Sequence, residues 1–89
     1  MKAPYLEVTF RQGRPMAAYL YLDRKAGDKS QRTSRADPGM VIDYQEDGKA
    51  IGIEITAPSK ITATDINRVL ASFGLPGLTV DDVAPLKAA

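Results

Sequence analysis

The alternation of apolar and polar residues changes period once along this chain, near residue 60. Before that point the period is two. In "YLEVTFR", residues 5 to 11, Leu6, Val8 and Phe10 alternate with Tyr5, Glu7, Thr9 and Arg11, the pattern of a half-buried strand. Residues 16 to 23 repeat it, with Met16, Ala18, Leu20 and Leu22 against Ala17, Tyr19, Tyr21 and Asp23, and the intervening "QGRP" supplies Gly13 and Pro15 as turn residues. Two further strands are predicted at 40 to 45 and 49 to 56, joined through "QEDG", while the segment between 24 and 36 reads as a loop that allows a short edge strand near Thr33 to Ala36.

The period then becomes helical. Ile66, Val69, Leu70 and Phe73 form one apolar stripe, so a helix is predicted over 63 to 73. Thr62 with Asp65 three residues on reads as a capping box, Ile61 with Ile66 as a hydrophobic staple, and Gly74 as the terminator. A short helical turn follows at about 80 to 84, opened by Thr79 with Asp82, anchored by Val83 and Leu86, and limited by Pro85. The expected fold is a two-layer α+β domain spanning residues 1 to 89. An antiparallel four-stranded sheet in meander order carries one main helix on one face.

The central hairpin can be registered by its side chains. A four-residue loop, Gln45 to Gly48, sets Ile42 opposite Ile51, Met40 opposite Ile53, Asp43 opposite Ala50 and Glu54 opposite Gly39. A three-residue loop from Glu46 to Gly48 sets Asp43 against Ile51 and mixes buried with solvated positions, so the longer loop is the expectation. On that register Asp43 and Glu54 share a face at a separation of roughly 8–11 Å from strand geometry. Gly52, between two isoleucines, is read as a place where another backbone or side chain comes close.

Composition narrows the chemistry. The 89 residues are 44% hydrophobic and 26% charged, as in ordinary globular proteins. Histidine and cysteine are both absent, which removes imidazole and thiolate nucleophiles, bases and metal ligands. Ser59 and Lys60 are adjacent, and neighbouring strand or loop residues as a rule point apart, so no serine–lysine pair is expected; no glycine-rich phosphate loop is present. No catalytic, cofactor or metal site is expected; an enzyme using Asp43 or Glu54 is the outlying alternative. Glu46 and Asp47 read as turn residues before Gly48. Charged residues arrive too early for a signal peptide and no long apolar run exists, which reads as a cytoplasmic protein without a membrane segment.

The net charge of +1 conceals an asymmetry: residues 24 to 35 hold five basic side chains and one acid. Arg24, Lys25, Lys29, Arg32 and Arg35 are therefore candidates for a nucleic-acid contact, against the plainer reading of a solvated loop. The sheet face left uncovered by the helix is the other candidate surface. Tyr5, Tyr19, Tyr21, Val41, Asp43 and Glu54 lie on it, a set suited to a protein interface, with a second copy in a dimer or a different chain as partner. The bland alternative is a wet face of strand-forming residues. With Arg11 against Glu7, Asp23, Asp43 and Glu54, its formal charge of −3 disfavours phosphates.

"AAYLYL" at 17 to 22 and "DPGMVIDYQEDGKAIGIEI" at 37 to 55 closely resemble the small bacterial proteins grouped as domain of unknown function two-two-eight-three. The similarity spans roughly residues 10 to 60. It implies a compact strand-rich domain with no assigned activity, and, because some relatives look like genomic neighbours of small toxin-like proteins, an antitoxin or partner-binding role. This chain departs from that pattern in its long basic loop and in everything beyond the hairpin.

Overall fold

The computed structural model describes residues 4–22, 30–36 and 38–87. Five strands form one antiparallel sheet: β1 (Tyr5–Arg11), β2 (Arg14–Tyr21), β3 (Arg32–Ala36), β4 (Met40–Tyr44) and β5 (Ala50–Ile55). Helix α1 (Ala63–Ser72) and the short α2 (Val80–Val83) follow, with 3-10 turns at Pro58–Lys60 and Ala84–Lys87. The α+β class and the helix stand as predicted. The strand count does not, because the optional edge strand near Thr33 is formed as β3.

Strand order also departs from a meander. It is β1-β2-β5-β4-β3, with β5 in the middle. The reason lies in what each strand can bury. Ile51, Ile53 and Ile55 are fully buried, whereas β3, "RTSRA", is exposed at four of its five positions. A polar strand with two arginines belongs at an edge, and the isoleucine strand belongs where both neighbours cover it.

The β1–β2 connection is tighter than expected. Gln12 and Gly13 both take positive φ, 52° and 77°, and make a two-residue turn of the kind whose twist matches a hairpin. Pro15 thereby lies in β2 opposite Phe10, and Met16 is the extra residue of a bulge before Ala17 pairs with Thr9. Proline is tolerated there because bulges leave ladder positions unpaired.

The β4–β5 hairpin takes the three-residue loop that sequence reasoning rejected. Gly48 N–H donates to Gln45 O and Gln45 N–H to Lys49 O, each at 2.9 Å, and Gly48 supplies a φ of 91°. The mixing of faces is avoided by a bulge: Tyr44 pairs with Ala50, then Asp43 with Gly52, which leaves Ile51 over. The resulting pairs are Ile42 with Ile53, Met40 with Ile55 and Val41 with Glu54, in place of the expected ones. The face assignment survives because the shift is an even number of residues.

Ala18, Leu20, Met40, Ile42, Ile53 and Ile55 point to one side of the sheet and join Ile66, Val69 and Leu70 of α1 in a single core cluster. At roughly 1.5–3 kcal/mol for each large side chain, this burial is the main driving force for the fold. Helix α1 is closed at both ends. Thr62 and Asp65 exchange backbone and side-chain hydrogen bonds at 2.9 and 3.2 Å. Gly74, at φ 72°, ends it with N–H donation to Ala71 O while Leu75 N–H reaches Leu70 O, the paired bonds of a Schellman terminus. Beyond it, the Asn67 side chain both accepts from Leu78 N–H at 2.7 Å and donates to Leu78 O at 3.0 Å. That clasp ties the connector to α1, and α2 repeats the capping box with Thr79 and Asp82, burying Val83 while the next turn buries Leu86.

Candidate functional site

No described helix packs on the other side of the sheet, and strand pairing arranges its side chains in two rows. One row runs Tyr5, Tyr21, Gly52, Asp43, Thr33 across β1, β2, β5, β4 and β3; the next runs Glu7, Tyr19, Glu54, Val41, Arg35. All six predicted interface residues therefore share this face. Tyr5 is 44% exposed at one margin, Glu54 is exposed near the middle, and Tyr19, Tyr21, Val41 and Asp43 are half-buried.

The rows interlock at one point. Tyr19 stands beside Glu54 in its own row but leans across the neighbouring strand, so its hydroxyl donates to Asp43 Oδ2 at 2.7 Å. Between them lies Gly52. A Cβ at that position would come within 1.9 Å of the Tyr19 hydroxyl oxygen and 2.3 Å of Cζ, so only glycine admits the phenol. The close approach read from the sequence is this ring. Asp43 is held from its other oxygen by Ser30 Oγ at 3.2 Å. Tyr21 packs edge-on to Tyr19 with ring centres 4.7 Å apart, stacks tilted on Tyr5 at 5.9 Å, and donates from its hydroxyl to Glu7 at 3.3 Å. Aromatic pairs of this kind add about 0.5–1.5 kcal/mol each beyond area burial. The face is ordered by its own contacts.

Glu54 and Arg35 are held by no such contact among the described residues. Glu54 and Arg35 sit in one row on either side of Val41, and the described residues give neither an ion pair. Arg35 and Thr33 were not anticipated on this face, because a strand near Thr33 was only an option. With Arg35 added, and Arg11 and its cross-strand partner Arg14 on this side, three cations stand against Glu7, Asp43 and Glu54. The described charges on this face thus balance, in place of the −3 expected, and Asp23 lies outside the described residues. Asp43 and Glu54 are diagonal neighbours, about 7–8 Å apart by strand geometry, closer than the expected register placed them.

The basic candidates do not form one loop. Arg24, Lys25 and Lys29 lie outside the described residues, and Arg32 and Arg35 belong to β3, three positions apart and so on opposite faces. Arg32 sits on the helix side with its guanidinium 4.8 Å from the centre of the Tyr44 ring, which in turn packs edge-on to Phe73. In the β4–β5 loop, Asp47 accepts from Lys49 N–H and from Gln45 Nε2, both at 2.9 Å, as a turn residue does. The Lys49 backbone bond is the main reason its carboxyl titrates below the usual range. Among the described residues no three acidic side chains gather into a metal site, and no helix is long and apolar enough to cross a membrane.

Residues 17–58 match the model of a family described as protein of unknown function (DUF2283). No curated protein and no solved structure matches the chain. The matched segment runs from β2 to the turn after β5, and so contains Tyr19, Asp43 and Gly52 together. Over that segment the chain is similar to this family.

Proposed function

We propose that this protein is a non-enzymatic, cytoplasmic interaction protein that binds a protein surface, a second copy or a different chain, through the open face of its sheet. One observation carries the reading: the face is ordered by Tyr19 seated on Gly52 and bonded to Asp43, without any described element covering it. Rings fixed before binding lose little freedom on binding, which favours affinity. The partner this surface fits offers apolar area to Tyr5 and Val41 and a cation to Glu54. An antitoxin-like pairing, as the family resemblance implies, is one form of such binding.

The test combines light scattering over a dilution series with affinity capture from cytosol, on the wild type and on Tyr5→Ala and Glu54→Arg. Both substitutions are at exposed positions, so the fold is retained. We expect the variants to lose association or a captured protein that the wild type keeps. Equal association by all three would remove the face from the account.

A further inference from the structure

The two edges of the sheet are finished differently. Strand β3 is five residues, polar at nearly every position and guarded by Arg32 and Arg35, an edge that discourages further pairing. Strand β1 is seven residues, "YLEVTFR", with no proline or lysine and no extra residue of its own, since Met16 in β2 makes the bulge. On its helix side Leu6 and Val8 are half-buried, and Phe10 is 46% exposed and outside the core cluster. Among the described residues no strand pairs with the outer edge of β1, so an apolar row runs along an unpaired hydrogen-bonding edge.

That row is self-complementary. We propose that β1 pairs antiparallel with β1 of a second copy about a two-fold axis through Val8, making one continuous ten-stranded sheet. A two-fold normal to the sheet keeps both helices on one side. In this register all seven residues are paired: Val8 meets the partner's Val8, and Leu6 meets the partner's Phe10, which covers the exposed ring. On the open side Glu7 meets the partner's Thr9, and Tyr5 meets the partner's Arg11, a juxtaposition suited to cation–π contact. The neighbouring registers are worse. Centring on Glu7 sets the two Glu7 carboxylates directly opposite each other, and centring on Thr9 leaves Tyr5 and Leu6 without strand partners. The inference is independent of the function proposed above; its consequence for that reading is that two open faces would lie side by side on one surface.

The chain has no cysteine, so a single introduced thiol reports one contact. Directly opposed antiparallel residues have Cα atoms about 4.5–5.5 Å apart, within disulfide range. Val8→Cys, Ser34→Cys and Glu54→Cys are each oxidised with glutathione disulfide at several concentrations and run on non-reducing gels, beside light scattering of the wild type. The expected result is a wild-type mass that rises with concentration toward a dimer, and cross-linking by Val8→Cys alone. Cross-linking by Glu54→Cys in its place would overturn the edge pairing while keeping the open face as the contact. A monomeric wild type, or Val8→Cys no faster than Ser34→Cys, would also overturn it. Register is read by Thr9→Lys, which places two new Lys–Glu7 pairs across the axis. Dimer dissociation should tighten by about tenfold, and weakening would exclude the Val8-centred register.

Discussion

The two faces of the sheet reach order by different means. The core of the helix side is apolar: Leu20, Met40, Ile53, Ile55, Ile66 and Leu70 are each at most 1% exposed, and shape and volume fix their positions. The open side fixes its residues through specific contacts centred on Tyr19, Gly52 and Asp43. Volume tolerates exchange among similar side chains, whereas a ring seated on a bare Cα tolerates none at that point. A face meant only for water needs no such constraint, and that is what supports the proposal of a contact surface.

The comparison predicts a hierarchy of costs. Ile53→Ala, at the centre of the covered face, should destabilise most, by about 2–5 kcal/mol in urea unfolding. Gly52→Ala adds one methyl on the open face and should cost about 1–3 kcal/mol, since the added carbon must displace the Tyr19 ring. Alanine stabilising the strand, as its lower entropy cost alone would dictate, would break the comparison. Tyr19→Phe keeps the ring on Gly52 and removes only the bond to Asp43; a loss of about 1 kcal/mol is expected by the same assay.

The smallest effect belongs to the β4–β5 loop. The Asp47 carboxyl is depressed in the folded protein relative to its ordinary value of 3.8. Its contribution is therefore complete above that value and is lost as pH falls through the folded pKa. Stability profiles of the wild type and Asp47→Asn should run in parallel above about pH 5 and converge in acid.

Much of this was legible in the sequence, for stated reasons. Period two and period 3.6 identified the strands and α1, and Thr62, Asp65 and Gly74 marked its ends because capping depends on residue type at fixed offsets. The face of each strand residue was legible too, since an even shift of register leaves it unchanged. Strand order was not, because pairing partners are chosen by what each strand can bury against the others. Without β5 beside β2, nothing in the chain linked Gly52 to Tyr19, although a glycine between isoleucines signalled a close approach. The bulge at Ile51 was equally hidden: it reconciles a short loop with consistent faces only once the loop geometry of Gly48 is known. β3 was foreseen only as an option, as a strand of polar residues carries little periodic signal, and with it the place of Arg35 on the open face was hidden.

The account stands on the claim that the open face is ordered by Tyr19 seated on Gly52. A double-mutant cycle of Gly52→Ala and Tyr19→Ala, measured by urea unfolding, tests it most directly. The account predicts strong coupling: Gly52→Ala should be costly with Tyr19 present and close to neutral, or stabilising, once the ring is gone. Additive costs, with Gly52→Ala equally harmful in both backgrounds, would contradict it.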